Sequence, residues 1–330
     1  MNRAIICWGL AVFMGGCFEC RGESIKRGSH EHVMAWGKGA QTRFVFRVVD
    51  ADGLPVENAS IQASFGEKWG GWNKGATDSN GVFAVEGISA GEMIYNIRKQ
   101  NYYDTDSGYK WGGADEIIIE DGKWLPWGVT NSVILKKIRN PVAMCVKHVE
   151  SKLPALNQPC SYDFKIGDWV APFGKGEIED VVFLVTKKRI STWTDFDGAL
   201  SVCFKNKSDG FRERDKESAT GSLFAWSYET PTNGYFQNLS INIGYVPGQQ
   251  YYETNQSSAC YFRTRSVTNN HGEVVSANYG KIIGSIVFDV RDTPTAFVKF
   301  TYYFNPIMND RNIEFDPEKN LFGGRDRFAP

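Results

Sequence analysis

The chain has 330 residues, enough for two domains at about 150 residues each. Hydrophobic residues make up 42% and charged residues 23%, which supplies a packed core and excludes wholesale disorder. The net charge of −1 gives no overall attraction for a polyanion, and the one short basic run, Lys187-Lys188-Arg189, reads as a solvated strand edge, so nucleic acid is not an expected partner.

Residues 1–17 read as an export signal. Arg3 supplies the positive start, and Ala4 to Phe13 is an uncharged apolar run too short to span a bilayer. Met14-Gly15-Gly16-Cys17 follows, with small residues directly before a cysteine. This resembles the bacterial lipobox, with Met14 where Leu is usual. The resemblance implies cleavage before Cys17, a lipid on its sulfur, and a membrane as partner through that lipid. Phe18 after the cysteine, in place of Asp, resembles a signal for sorting to an outer membrane or cell surface. No later segment is long and apolar enough to be a membrane-spanning helix.

Residues 18–41 are polar, glycine-bearing and aperiodic, and are expected to form a flexible tether. His30 and His32 alternate there, as polar filler more simply than as a metal site. With Cys7 in the signal and Cys17 lipidated, Cys20, Cys145, Cys160, Cys203 and Cys260 remain. Outside the cytoplasm, two of Cys145, Cys160, Cys203 and Cys260 would be bridged; the alternative is buried thiols that pack as small apolar groups. No C-x-x-C spacing points to a metal or redox site, and no cofactor fingerprint is present.

From Arg43 the pattern becomes that of strands. Aromatics at 14% and 34 glycines favour strands with tight turns over helices. Phe44–Val49 is followed by the turn Asp50-Ala51-Asp52-Gly53, Ala59–Phe65 alternates apolar and polar, and Thr77-Asp78-Ser79-Asn80-Gly81 is a second turn. Val82–Val85, Met93–Arg98, Glu116–Ile119 and Asn131–Lys137 complete the strand set. The string V-V-D-A-D-G-L-P-V-E-N-A-S-I, then T-D-S-N-G-V-F, then A-G-E-M-I-Y-N-I-R-K-Q-N-Y, resembles the carboxypeptidase regulatory-like module, a small transthyretin-like β-sandwich. The resemblance covers residues 42–138 and departs from the family in a long insertion between Asn101 and Trp127. It implies a sandwich used as a spacer or binding module.

Asn140-Pro141 marks a boundary, because proline cannot continue a ladder. Residues 139–330 read as a larger antiparallel β domain with strands at Val142–Val149, Cys160–Ile166, Val181–Thr186, Ala199–Phe204, Leu239–Ile243, Ala259–Arg265, Ile282–Asp289 and Thr295–Phe304. Short helical turns are expected near Arg212–Ser218 and Pro317–Leu321, and an irregular tail from Asn305. Asp195-x-Asp197-Gly198 repeats the earlier turn signature and predicts a related hairpin. Alternating carboxylates can begin a calcium loop, but the first such run continues into Leu54-Pro55-Val56, which offers no further ligand, so turn chemistry is the reading. The fold class expected is all-β, two antiparallel sandwiches.

Five of the ten tryptophans lie between Trp69 and Trp127, in loops rich in Gly and Pro: Trp69, Trp72, Trp111, Trp124 and Trp127, with Tyr109 among them. Such rings either form a platform for a sugar ring or a surface partner, or cover a thin core. Gly167–Gly176 is a dense Gly/Pro/aromatic corner in which Asp168 and Lys175 can pair; it lacks the Gly-Lys-Ser/Thr of a phosphate loop. His148, His271 and the carboxylates Glu177 and Asp180 form no recognisable catalytic constellation. The functional expectation is a non-catalytic envelope lipoprotein that binds a glycan or surface partner. The alternatives are a structural spacer with no small ligand and, third, an enzyme.

Overall fold

The computed structural model describes residues 34–35, 37–66, 71–111, 119–214, 221–246, 248–291, 294–323 and 328–330. Cys7, Cys17, Cys20, His30, His32 and Trp69 lie outside the described residues, as do the signal and the tether through residue 33.

The first sandwich is built on β1 (Ala40–Asp50), whose alternation buries every second residue from Ala40 to Asp50. β4 (Val82–Ser89) pairs with it antiparallel. On its other edge β9 (Val129–Leu135) runs parallel, extended by the short β8 (Lys123–Trp124) and β7 (Ile119–Glu120). The facing sheet is antiparallel, in the order β3 (Trp72–Ala76), β2 (Ser60–Ser64), β5 (Glu92–Arg98), β6 (Thr105–Lys110). Phe44, Phe46, Ile61, Ile97 and Leu135 are fully buried between the sheets, each contributing about 1.5–3 kcal/mol through removal from water. Ala35, within the stretch expected as a flexible tether, packs into this core.

The second sandwich has two six-stranded sheets. One runs β15 (Gly210–Glu213), β18 (Ala259–Thr268), β19 (Val274–Asp289), β20 (Phe297–Asn305), β10 (Val142–Lys152), β21 (Phe315–Asn320). The other runs β12 (Asp168–Trp169), β11 (Cys160–Asp163), β13 (Val181–Thr192), β14 (Asp195–Cys203), β16 (Asn238–Val246), β17 (Gln249–Thr254). The fold is thus all-β, in two sandwiches; parallel pairing at β1–β9, β1–β8 and β10–β21 is the departure from a purely antiparallel plan. Phe164 and Phe262 stack at 4.5 Å, and Phe183 and Phe300 at 5.4 Å, across the second core.

Several expectations are corrected. Helical turns were expected near Arg212–Ser218 and Pro317–Leu321, but residues 212–213 and 317–320 lie in the strands Gly210–Glu213 and Phe315–Asn320, and residues 215–218 lie outside the described residues. The first edge pairs with β18 and the second with β10, so ladder bonds decide their conformation. Asp195-x-Asp197-Gly198 lies inside β14, with the hairpin turn at Trp193-Thr194 instead. Gly198 serves packing there: a Cβ on it would stand 2.3 Å from Val290. The other two aspartate runs are turns as expected. Asp50 Oδ1 accepts from the backbone N–H of Asp52 and Leu54, and Asp78 Oδ1 from those of Asn80 and Val82.

The cysteine expectation is corrected as well. Cys145, Cys160, Cys203 and Cys260 are all free. They occupy packing positions, and burial pushes the Cys145 thiol up to about 11 and that of Cys260 up to about 12.

Candidate functional site

The aromatic set divides. Trp124 (1% exposed) and Trp111 (4%) belong to the first core, and Tyr109 packs partly buried against Phe44 and Trp111 at 5.0 and 4.9 Å. Trp124 Nε1 donates to the Ser89 carbonyl at 2.8 Å, and its ring lies over Gly91, where a Cβ would come within 3.1 Å. Trp124 and Trp111 face the interior and present no face to a ligand, and Tyr109 is half-buried against the same core. Trp72 (46% exposed) stands on the edge strand β3, and Trp127 (39%) follows β8 with the Lys123 ammonium 5.3 Å above its ring. Trp69 is outside the described residues. Trp72 stands on the edge strand of one sheet and Trp127 in the turn between β8 and β9, and no ring contact joins them among the described residues.

In the Gly167–Gly176 corner, Asp168 Oδ2 accepts from the backbone N–H of Lys175 at 2.9 Å. His148 bonds Thr301 across β10 and β20, and His271 sits in a turn whose N–H groups are held by Asn269. Asp180 is buried in a structural ion cluster, whereas Glu177 is exposed. The structure therefore brings none of these groups together as a catalytic pair.

What it does bring together is a junction between the two sandwiches. Glu314, 1% exposed, accepts hydrogen bonds from the Tyr103 hydroxyl (2.8 Å), the Arg139 N–H (2.8 Å) and the Asn140 N–H (2.7 Å). Its carboxylate thus ties the first sandwich and the connecting segment to the tail of the second. Around it, Tyr228 donates to the Lys137 carbonyl, Lys136 to the Trp226 carbonyl, and the Arg139 guanidinium lies 3.9 Å from the Tyr228 ring. The segment at residues 221–223 continues the β6 edge through Asp106 N–H to Gly221 O and Leu223 N–H to Asp104 O. Burial and then the Glu314 hydrogen bond push the Tyr103 hydroxyl far above its ordinary range.

A third core lies beneath this junction: Tyr103, Met144, Val146, Phe224, Trp226, Tyr261, Tyr303, Ile313 and Phe315. Lys281 is fully buried within it. Its Nζ donates to the Ile313 carbonyl at 3.1 Å, with the Tyr303, Phe224 and Trp226 rings at 4.6, 5.2 and 5.4 Å. Burial holds this amine well below the usual lysine range, and the nearby Glu314 charge offsets part of that. Sequence reasoning missed Lys281 and Glu314. The available signal was Glu314 itself, a carboxylate between Ile313 and Phe315 in a segment read as an irregular tail.

No family model and no curated protein matches the chain. Solved structures align with parts of it. The 3-chlorocatechol 1,2-dioxygenase of Rhodococcus opacus 1CP aligns at 17% identity over 30% of this chain and 60% of that one, with a TM-score of 0.24. A streptococcal ancillary pilin aligns at 10% over 66% and 59%, with a TM-score of 0.22. BcpA, the major pilin subunit of Bacillus cereus, aligns at 9% over 81% and 96%, also at 0.22. The chain spans less than two thirds of the first two, and likenesses at these TM-scores carry no argument about activity or partners.

Proposed function

We propose that the chain is an exported, non-catalytic envelope protein, anchored through a lipid on Cys17, in which two sandwiches act as one structural body that stands off from the membrane. The first sandwich, with its motif turns at Asp50–Gly53 and Asp78–Gly81, is taken as a carboxypeptidase regulatory-like module. The observation that carries the reading is the Glu314 junction. A carboxylate that gathers Tyr103, Arg139 and Asn140 leaves no free linker between the sandwiches, and a domain boundary built for independent motion would be exposed and polar. The placement of Trp111, Trp124 and Tyr109 in the first core favours the same reading over an aromatic platform.

The test is expression of the full chain in a bacterium beside Cys17→Ser. The wild type should fractionate with membranes, carry a diacylglyceryl mass on Cys17 and lose its export segment, while Cys17→Ser leaves the membrane. An unmodified Cys17, or a mature chain that retains Met1, overturns the tether. Calorimetry of the Cys17→Ser chain should give one cooperative transition; two separate ones overturn the single body. A second reading, a glycan or surface-protein module, is favoured on the first sandwich by the exposed rings of Trp72 and Trp127. It gains if Trp72→Ala abolishes binding on a glycan array.

A further inference from the structure

The outer face of the sheet β13–β14–β16–β17 carries two side-chain rows in register. Lys187, Ala199, Asn242 and Glu253 form one, and Arg189, Asp197, Gly244 and Tyr251 the other. The low points are Ala199 and Gly244. Tyr251 swings from the edge strand across Gly244, and a Cβ on that glycine would lie 2.3 Å from its ring. Glycine at 244 therefore lets the hydroxyl end of the ring pass close over the backbone, an approach no side chain permits. The Tyr251 hydroxyl donates to Asp197 Oδ1, and the Lys187 ammonium bonds Asp197 Oδ2. Burial pushes the Asp197 carboxyl up, but the bonds from Lys187 and Tyr251 outweigh it and hold the group below the usual carboxylate range. The ring is pinned at its tip by Asp197 and held against Gly244.

A hollow of about 400 Å³ opens beside it, lined by Lys187, Asp197, Asn242, Gln249, Tyr251 and Glu253. Asn242, Gln249 and Glu253 have no side-chain hydrogen bond among the described residues. Their donors and acceptors stand ready around a fixed aromatic surface. The lysine charge is met by Asp197, and Arg189 is met by Asp195 at 2.8 Å. The hollow therefore offers no surplus positive charge to a phosphate or sulfate.

We infer that this hollow is a binding site for a neutral saccharide ring. The C–H-rich face of a pyranose carries partial positive charge, which suits the negative π face of Tyr251. Its hydroxyls match the mixed amide and carboxylate groups of Asn242, Gln249 and Glu253, and the volume is within the range of small-molecule sites, about 300–1,000 Å³. This inference stands apart from the lipid tether and from the junction. It also places the sugar on the second sandwich, away from Trp72.

The experiment is titration of the full Cys17→Ser chain with glucose, galactose, mannose and N-acetylglucosamine and with their short oligomers, read by saturation-transfer NMR and calorimetry. At least one sugar should bind, at a Kd on the order of 1 mM for a monosaccharide. Tyr251→Ala should weaken it by about tenfold or more. Gly244→Ala should do the same without touching the ligand, because its methyl group lifts the ring from its seat. Asn242→Ala is a second contact variant at a site whose side chain supports no neighbour. Trp72→Ala should leave binding unchanged, and all four variants should keep the wild-type far-UV spectrum. Absence of binding by every sugar overturns the inference, as does unchanged affinity in folded Tyr251→Ala and Asn242→Ala.

Discussion

Arg265 holds Asp180 with two parallel bonds, Nε to Oδ1 at 2.8 Å and Nη2 to Oδ2 at 2.7 Å, at a depth where the carboxylate is fully buried. Arg265 takes a φ of +58°, an uncommon left-handed value for a long side chain, and belongs to β18 of one sheet, while Asp180 precedes β13 of the other. The same carboxylate accepts from the Phe164 N–H and the Thr264 hydroxyl. The pair thus pins the two sheets of the second sandwich. Asp180→Ala leaves the guanidinium with one carboxylate instead of two and two further donors unmet. It should cost about 3–5 kcal/mol, seen as a lower urea midpoint with unchanged slope.

Asp163 shares that guanidinium and gives the cluster a pH dependence. It also accepts from the N–H groups of Lys165, Ile166, Glu177 and Ile178. Burial pushes its carboxyl up, but the backbone bonds and Arg265 outweigh that and hold it below the usual carboxylate range. A depressed folded value means a contribution present above the unfolded value and lost as pH falls through the folded one. Asp163→Asn should therefore cost about 1.5–3 kcal/mol at neutral pH. The gap to the wild type should shrink in acid, below the ordinary Asp range. Urea midpoints measured from pH 7 down to the acid limit would check it; a gap constant with pH counts against the assignment.

Lys281 gives a pH slope of the same sign as Asp163 but destabilises the fold at neutral pH. Its amine is buried among three rings with one carbonyl partner, and burial lowers its folded value well below that of the unfolded chain. The folded state then binds fewer protons, so the stability of the wild type relative to Lys281→Met rises with pH toward the unfolded lysine range, by at most about 1.4 kcal/mol per pH unit. The charged groups around this core are Glu314, Lys136, Arg139 and Arg214, and the comparison cancels their own titration to first order. Near neutral pH, Lys281→Met should stabilise the chain by about 1–4 kcal/mol. Denaturation at pH 7 and pH 9.5 would show the advantage narrowing.

The strand plan was legible because alternation is local. Val142–Val149, Cys160–Ile166 and Ala259–Arg265 read as strands and contain or overlap β10, β11 and β18. What escaped was set by distant partners. β17, Gln-Gln-Tyr-Tyr-Glu-Thr, is a polar edge with no apolar face to alternate, and only its pairing with β16 makes it a strand. Asp195-x-Asp197-Gly198 carries turn composition, yet Lys187 and Tyr251 occupy its carboxylate and Val290 requires its glycine. The parallel pairing of β1 with β9 joins residues some 85 positions apart in the chain, beyond any local pattern (Phe44 with Val129). Of the aromatic set, composition marked the rings but not their direction; Gly91 and the Ser89 carbonyl decide that Trp124 turns inward.

The thiols offer a direct chemical check. Cys145, Cys160 and Cys260 are buried and Cys203 half-buried, and burial raises all four. Thiolate is the reactive form, so both access and ionisation oppose modification in the native state. A thiol reagent at neutral pH should reach Cys203 slowly and leave the other three untouched until urea is added. Peptide mapping after labelling should then find all four modified without prior reduction. Any of the four recovered as a disulfide peptide contradicts the structure.

The tryptophans separate core from surface on a melting curve. Trp124 fills the end of the first sandwich, and its indole N–H satisfies a buried carbonyl. Trp124→Ala leaves a cavity as well as an unpaired acceptor and should cost about 3–5 kcal/mol; Trp124→Phe keeps most of the volume but drops the hydrogen bond, at a cost of about 1–3 kcal/mol. Trp72 stands on the edge strand with nearly half its surface in water. Trp72→Ala removes little packing and should change stability by no more than about 0.5 kcal/mol. The order of melting temperatures should therefore be wild type and Trp72→Ala together, then Trp124→Phe, then Trp124→Ala. A large drop for Trp72→Ala would mean that the ring covers core after all and would remove the surface-binding reading of that strand. A small drop for Trp124→Ala would mean that the sandwich end is not closed by this ring, which would return Trp124 to the set available for a ligand.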